Sequence, residues 1–278
     1  MGQRGSKSTP PSAQQIESNL PNSVDYKVDS LRFSVHNALQ LQQGIEHLNE
    51  HGYAVFGDVL ASDEITANVD LLWNHLENLP LPYQIRRKDA TTWDVAWPGI
   101  PRFGLMPNEG IGQSQFMWSV RGNPNVKKVF ALIWQTSELL VSFDAAGTFR
   151  DWHLNHRWKT KSGWYHCDQH FSELQSLVSA NDRHGNYVAI PSEHPLLKQL
   201  NARLVKCKAG DLVVWDSRCI HCNTPALDNN DKMGEKASSL TDAESPRLLR
   251  IVAYVCMSPT GMVTFDKLEE FRMARQKL

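Results

Sequence analysis

The residues best suited to chemistry are His166 and Asp168 in the segment WYHCDQH and His221 in SRCIHCNTP. Successive side chains of a strand point to opposite faces, so a His-x-Asp sequence on a strand directs its imidazole and carboxylate to one side. If His221, 53 positions after Asp168, returns to that side, the three form a two-histidine, one-carboxylate triad. Such a triad binds Fe(II) and leaves coordination positions open, which indicates oxygenase chemistry.

The chain between Asp168 and His221 must supply the strands that bring these residues together. Runs of strand-like composition alternate there with Asn, Asp, Gly and Pro. These runs cover residues 174–180, 186–191, 203–208 and 212–216. A jelly roll gathers the ends of strands that are distant in sequence at one mouth. We therefore predict a mainly β fold with flanking helices and a jelly-roll, cupin-like core.

Cysteines offer an alternative metal site. Cys219 and Cys222 have C-x-x-C spacing, and a structural zinc site that includes them is conceivable. The spacing alone is weak, and the odd total of five cysteines indicates reduced thiols. Strand alternation turns Cys167 and Cys222 away from the proposed ligand face, which predicts that both are buried as small apolar side chains. Two other histidine pairs, His166 with His170 and His153 with His156, could bind a metal on a helix. Neither segment has a clear helical pattern, so we expect these side chains to be solvated or hydrogen-bonded.

Two helices are predicted upstream of the triad. Ser62 is a suitable N-cap, and Pro124 suits a first helical position after Asn123. The apolar stripes consist of Ile65, Val69, Leu72, Trp73 and Leu76 in the first helix and Val126, Phe130, Ile133 and Trp134 in the second. We expect these side chains, including the tryptophans, to be core, and we expect residues 91–121 to form long loops.

Composition places this chain among compact enzymes. Of its 278 residues 41% are hydrophobic, nine are tryptophan, and the formal net charge is -1 without a basic block, so nucleic acid is not an expected partner. Residues 1–30 are rich in Ser, Pro, Gln and Asn, which predicts a flexible tail ahead of a single domain over residues 31–278. Neither a membrane helix nor a secretory signal is evident, and we expect a cytoplasmic protein. Gly2 matches the N-myristoylation pattern.

Five segments together resemble the phytanoyl-CoA dioxygenase family of Fe(II)- and 2-oxoglutarate-dependent oxygenases. They are GYAVFGDVLASDEI, WYHCDQ, VAIPSEHPLL, KAGDLVVWDSRCIHCNTP and SPRLLRIVAYV, and they extend from about Leu48 to Pro259. The resemblance implies a double-stranded β-helix core with metal ligands at His166, Asp168 and His221. Two departures from the family pattern are a longer connection of 25 residues between His221 and Arg247 and the absence of glycine from the Pro191-Ser192-Glu193-His194 turn.

The same resemblance implies an activity and its cofactors. Family members use Fe(II), 2-oxoglutarate and O2, with ascorbate as a possible reductant, and release succinate and CO2 as they hydroxylate a substrate. A small-molecule or lipid-like substrate is the expectation for this chain. Two alternatives stay open: a cupin-like metalloenzyme that does not use 2-oxoglutarate, and a zinc-stabilised binding module without catalysis.

Arginine and asparagine are the expected ligands of 2-oxoglutarate. The family has an arginine after proline at the start of its last core strand, and Arg247 occupies that position, while Arg250 is the rival. A guanidinium suits a carboxylate because it presents paired donors in a plane. On a regular strand the two arginines lie on opposite faces, and the spacing to Tyr254 favours Arg247. Asn223 is predicted to share the face of His221 and to bond 2-oxoglutarate or to stabilise a turn.

Overall fold

The computed structural model describes residues 30–168, 183–184, 187–200, 202–224 and 247–262, together with residues 267, 269, 270, 272 and 273. These residues divide into two compact units. Within the described residues, the smaller unit contains Ser30, residues 163–206 with gaps, and residues 220–222. The larger unit contains residues 31–162, 207–219, 223–224 and the described residues from 247 onwards. The predicted tail lies outside the described residues except for Ser30, and the predicted domain boundaries stay predictions.

Among the described residues, α-helices with defined bounds number four in the larger unit and one in the smaller. Those of the larger unit are α1 (Ala38–His51), α2 (Ser62–Glu77), α3 (Gln115–Gly122) and α4 (Pro124–Trp134), and that of the smaller unit is α5 (Pro195–Gln199). Helix α4 begins at Pro124, as predicted, and Asn123 caps it by accepting the backbone N–H groups of Asn125 and Val126. The predicted cap of α2 is wrong by one residue, because Ser62 is the first helical residue and Ala61 precedes it. None of the described helices has the length and apolar composition needed to cross a bilayer.

Eleven short strands are described, in four small sheets. Their bounds are β1 (Arg32–Ser34), β2 (Tyr53–Gly57), β3 (Leu105–Met106), β4 (Leu139–Val141), β5 (Ala146–Arg150), β6 (His166–Asp168), β7 (Arg183–His184), β8 (Tyr187–Ala189), β9 (Leu212–Trp215), β10 (Leu248–Ala253) and β11 (Met257–Pro259). The larger unit holds the sheets β1-β2-β9, β3-β5-β10 and β4-β11, in which only the β1–β2 pair is parallel. The smaller unit holds the antiparallel sheet β6-β8-β7.

The core of the larger unit consists of two apolar clusters. One is built around Trp73, Trp93 and Trp97, and the other around Phe56 and Phe130. The prediction that Trp73 is core is confirmed, whereas the same prediction for Trp134 is wrong. That indole is 37% exposed, and its N–H donates to the carbonyl of Met257.

The segment predicted as long loops, residues 91–121, has more structure than expected. Its last part is α3, its middle contains β3, and it sends the side chains of Trp93 and Trp97 into the core of the larger unit, where they are 0% and 8% exposed. The prediction of loops therefore holds only for the stretches between these features. The aromatic residues explain the difference, because burying a large ring stabilises the backbone that carries it.

The predicted mainly β composition is not what the described residues show, since 38% of them are helical and 21% are in strands. Two predicted strands are present, as β8 and β9, and the one expected over residues 174–180 lies outside the described residues. Residues 203–208 form no strand within the described part of the chain. The jelly-roll core stays a prediction.

Candidate metal centre

Strand β6 positions the first two candidate ligands in the smaller unit. It pairs with β8 so that His166 lies opposite Ala189, Cys167 opposite Val188, and Asp168 opposite Tyr187. Cys167 and Val188 are both 0% exposed, and Val188 belongs to a small apolar cluster with Ile190. Burial of Cys167 is thus confirmed, and alternation along β6 places His166 and Asp168 together on the opposite face.

A backbone bridge brings in the third candidate ligand. The N–H of His166 donates to the carbonyl of His221, and the N–H of His221 donates to the carbonyl of His166, each over 2.9 Å. This is an antiparallel bridge in which the two residues are directly opposite, so their side chains lie on the same face. The two imidazole ring centroids are consequently only 4.3 Å apart.

The three side chains converge on one point. The Nε2 atom of His166 is 3.7 Å from Oδ1 of Asp168, and the Nε2 atom of His221 is 3.6 Å from Oδ2 of the same carboxylate. One ligand atom from each residue lies within 4.8 Å of the other two. A cation about 2.1 Å from each donor requires similar spacings, a little shorter than these. The donor set of two imidazoles and one carboxylate is the one that suits Fe(II) with open coordination positions.

The electrostatics of the site keep His166 in its ligating form. Burial, and to a smaller extent the neighbouring His221, lower the pKa of His166 to about 4 against the opposite influence of the Trp164 carbonyl and of Asp168. Its imidazole is therefore neutral at pH 7, and a neutral imidazole has the lone pair that a metal ion needs. Asp168 has the most exposed side chain of the three, at 39%.

Two aromatic rings flank His166. The indole of Trp164 stacks on the imidazole with a centroid distance of 4.6 Å and an interplanar angle of 7°. The ring of Tyr187 meets the imidazole edge-on at 5.7 Å. Tyr187 did not emerge from the sequence as a site residue, because only the pairing of β6 with β8 places it opposite Asp168. Gln169 and His170 lie outside the described residues.

The structure favours the triad over the cysteine alternative. Within the described ranges, a single group of three His, Cys, Asp or Glu side chains has metal-binding geometry, and it is His166, Asp168 and His221. Burial raises the pKa of the Cys219 thiol and of the Cys222 thiol, which disfavours the thiolate form that zinc requires. His153 behaves as expected for a hydrogen-bonding residue, since its Nδ1 is 2.8 Å from a carboxylate oxygen of Asp151.

The candidate 2-oxoglutarate ligands lie in the larger unit. Arg247 is exposed and immediately precedes β10. Arg250 is partly buried within β10, with its guanidinium carbon 3.7 Å from the ring centroid of Phe149 and one N–H donating to the carbonyl of Thr224 over 2.7 Å. Burial lowers the pKa of Arg250. Asn223 donates from its side-chain amide to the hydroxyl of Tyr254 over 2.8 Å.

A β-bulge alters the geometry that was expected for the two arginines. The register of β10 against β5 shifts between Leu248 and Arg250. A bulge adds one residue to one strand, so simple alternation does not hold across it. Strand alternation therefore does not decide which faces Arg247 and Arg250 occupy, and the role of Arg247 stays a prediction.

The donor set defines a candidate metal centre of the two-histidine, one-carboxylate class. No family model matches the chain. A protein of Dictyostelium discoideum that is provisionally named a phytanoyl-CoA dioxygenase is 29% identical to it over 119 residues, which cover 41% of this chain and 33% of that protein. The chain thus matches about a third of that relative's length.

A second relative matches over a longer range. The Aspergillus versicolor protein named "Ava biosynthesis cluster protein O" is 21% identical over 270 residues, covering 81% of this chain and 80% of that protein. The two relatives fit the predicted resemblance to the phytanoyl-CoA dioxygenase family. The name of the first points to an enzyme of the dioxygenase type.

Proposed function

We propose that this chain is a non-haem Fe(II)- and 2-oxoglutarate-dependent dioxygenase that hydroxylates a small-molecule or lipid-like substrate. The observation that carries the proposal is the convergence of His166, Asp168 and His221, whose donor atoms lie within 4.8 Å of one another. The dioxygenase name of one relative supports it independently. In the balanced reaction, substrate, 2-oxoglutarate and O2 give hydroxylated substrate, succinate and CO2.

The triad has a defined task in this proposal. Fe(II) and 2-oxoglutarate, when bound, would supply the oxidising power for insertion of oxygen into a C–H bond. Two imidazoles and one carboxylate would hold the ion and leave coordination positions open for reactants. The retained carboxylate of Asp168 favours hydroxylation over halogenation, because related halogenases lack this ligand.

Arg247 and Arg250 are both candidates for binding 2-oxoglutarate. The family resemblance assigns the distal carboxylate to Arg247. Arg250 has the contacts expected of an anchoring residue, because it is partly buried, it stacks on Phe149, and its guanidinium direction is fixed by Thr224. Asn223, which bonds Tyr254, is the proposed additional ligand.

The proposed substrate is a small organic molecule rather than a defined acyl-CoA. A fold and a cofactor set are shared by enzymes with very different substrates, so acyl-CoA does not follow from the family name. The second relative is named for a biosynthesis cluster, which favours a small organic molecule. The net charge of -1 gives no reason to expect a nucleic acid.

The test is succinate formation by purified protein with Fe(II), 2-oxoglutarate, O2 and ascorbate, with and without a panel of small-molecule and lipid substrates. We expect Asp168→Ala to lower the rate at least about 100-fold, because an essential ligand is lost. His156→Ala is the matched control, since His156 lies outside the triad, and it should retain the wild-type rate. Iron binding without any succinate would indicate the metalloenzyme that does not use 2-oxoglutarate, and tightly held thiolate-bound zinc would indicate the binding module.

Paired arginine variants identify the 2-oxoglutarate anchor. Arg247→Ala and Arg250→Ala are compared by the KM for 2-oxoglutarate at saturating Fe(II). The anchor should show a rise of at least about 10-fold, as expected for a lost charge-assisted bidentate contact. Arg250→Lys separates charge from geometry, because lysine keeps the charge but lacks the planar fork.

A further inference from the structure

We propose that Trp164 is the positioning residue of His166, and that its indole face and its backbone carbonyl together fix the orientation and the tautomer of that imidazole. This inference rests on the proposed function to the extent that His166 is a metal ligand. Trp164 itself is not one of the three candidate metal ligands.

The indole of Trp164 is stacked on the imidazole of His166. Trp164 precedes His166 by two residues, so extended chain places the two side chains on the same side. The rings are almost parallel, at 7°, with centroids 4.6 Å apart. A flat contact of this kind opposes rotation of the imidazole out of its plane, whereas an aliphatic side chain of similar bulk has no flat face. The edge of Tyr187, at 5.7 Å and 76°, limits the imidazole from another direction.

The backbone carbonyl of Trp164 makes a hydrogen bond with Nδ1 of His166. Nδ1 of His166 lies 3.2 Å from the carbonyl oxygen of Trp164. A carbonyl oxygen can only accept, so Nδ1 must carry the proton and Nε2 must carry the free lone pair. Nε2 is the nitrogen that faces Asp168, at 3.7 Å. The carbonyl therefore selects the tautomer that can bind a metal at the position where the triad converges.

The two contacts are separable by mutation, because one belongs to the side chain and the other to the backbone. Trp164→Leu removes the flat face and leaves the carbonyl, while Trp164→Phe keeps an aromatic face. Trp118→Leu is the matched control, since Trp118 is a tryptophan of the larger unit with a 39% exposed side chain. Thermal unfolding of all three variants verifies that each is folded before metal binding is compared.

The measurement is the Kd for Co(II), a spectroscopic probe that needs neither 2-oxoglutarate nor turnover. Groups that orient a metal ligand typically contribute 10- to 100-fold to metal affinity. We expect Trp164→Leu to weaken Co(II) binding about 10-fold with an altered visible spectrum. Trp164→Phe should stay within about 3-fold of wild type, and Trp118→Leu should equal it.

The tautomer gives a second readout that a purely structural role would not change. In the metal-free wild type, nitrogen NMR of His166 should show the proton on Nδ1. Trp164→Leu keeps the carbonyl, but without the flat indole face the imidazole can turn away from it, so a mixture of tautomers is expected. If Trp164→Leu binds Co(II) with the wild-type Kd and keeps the wild-type tautomer, the positioning role is refuted. Failure of the wild type itself to bind Co(II) would instead refute the proposed metal centre, so the two failures are distinguishable.

Discussion

His166 and His221 are joined by a pair of reciprocal backbone hydrogen bonds of 2.9 Å, although 54 residues lie between them in the sequence. The bonds are made by backbone atoms, so the two imidazoles are held side by side without any ion. Substitution of either side chain removes a candidate ligand and leaves the bridge possible, because every residue except proline has the required N–H group.

This relationship predicts how metal ions affect stability. A divalent ion that binds only the folded protein, at about 100 times its Kd, should raise the free energy of unfolding by about 2.7 kcal/mol, and a chelator should reverse the effect. In His221→Ala most of this gain should disappear while the stability without metal stays close to that of the wild type. Thermal unfolding with and without Mn(II) measures both quantities. An equal gain in His221→Ala would place the ion elsewhere.

The partly buried ion pair of Arg32 and Asp211 supports the first sheet of the larger unit. The Asp211 carboxylate accepts one hydrogen bond from Nε of Arg32 over 2.7 Å and another from Nη2 of Arg32 over 2.6 Å. The side chain of Asp211 is 1% exposed. Asp211→Asn should lower the free energy of unfolding by about 2–4 kcal/mol, near the lower end of the range for broken buried pairs because Arg32 is 27% exposed. Asp70→Asn, in the exposed pair with Arg87, should cost less than about 1 kcal/mol. Chemical denaturation at pH 7 compares the two variants.

The same aspartate predicts a pH dependence. Burial alone would raise the pKa of Asp211, but the hydrogen bonds from Arg32 and from the backbone of Lys208 and Asp58 outweigh it, and the pKa lies below its usual 3.8. The unfolded state therefore takes up the proton first as the pH falls. The stabilisation by Asp211 is complete well above pH 3.8 and is lost as the pH falls through the lower pKa of the folded state. The stability difference between wild type and Asp211→Asn should shrink over that acidic range, and a difference that grows would contradict the pairing.

Gly210 is predicted to be intolerant of alanine. Its φ is +86°, and an added Cβ would lie 2.7 Å from the carbonyl oxygen of Leu60 and 2.8 Å from the side chain of Ile65. Its own carbonyl accepts the N–H groups of Val59 and Leu60. Gly210→Ala should therefore lower the free energy of unfolding by about 1–3 kcal/mol.

Gly122 provides the matched control for this glycine. It is the last residue of α3, and an added Cβ would meet nothing within 4 Å. Gly122→Ala should be neutral or should stabilise by up to about 1 kcal/mol, since alanine is the better helix former. Thermal unfolding of the two variants side by side checks the contrast, and equal effects would mean that the local space around Gly210 does not decide the outcome.

The parts of the site that follow local rules could be predicted from the sequence. Alternation along a strand places His166 and Asp168 on one face, and Cys167 is buried on the other face, opposite Val188, as that rule requires. The return of His221 is a long-range pairing, which the sequence indicated only through the expected jelly-roll geometry and a family resemblance. The bulge between Leu248 and Arg250 could not be read from the residues, because one extra residue in a strand leaves no compositional signal.

Helix α4 and Tyr187 also show where prediction from the sequence ends. The stripe of α4 was predicted correctly for Val126 and Phe130, which are buried, but it was wrong for Trp134 in the last turn. The period of 3.6 residues specifies a face only approximately, and the contact of the Trp134 indole N–H with Met257 depends on where a distant strand lies. Tyr187 likewise became a site residue only through the register of β8 against β6.

Arg150 is predicted to be irreplaceable by lysine. Its guanidinium lies 5.0 Å from the ring centroids of both Trp97 and Trp158, and it donates to the carbonyl of Trp93 over 2.8 Å. Burial lowers the pKa of Arg150 to about 10, which leaves it charged at pH 7. A planar cation can stack on two indoles and still donate in its plane, which a compact ammonium group cannot do.

Arg150→Lys should therefore lower the free energy of unfolding by about 1–2 kcal/mol, the sum expected for a weakened cation–π contact and a displaced hydrogen bond. Arg157→Lys is the control, because the Arg157 side chain is 79% exposed in its pair with Asp94, and it should change stability by less than about 0.5 kcal/mol. Urea denaturation at pH 7 measures both. If the two lysine variants were equally stable, the planar shape of the Arg150 cation would be irrelevant, and its contribution would reduce to charge alone.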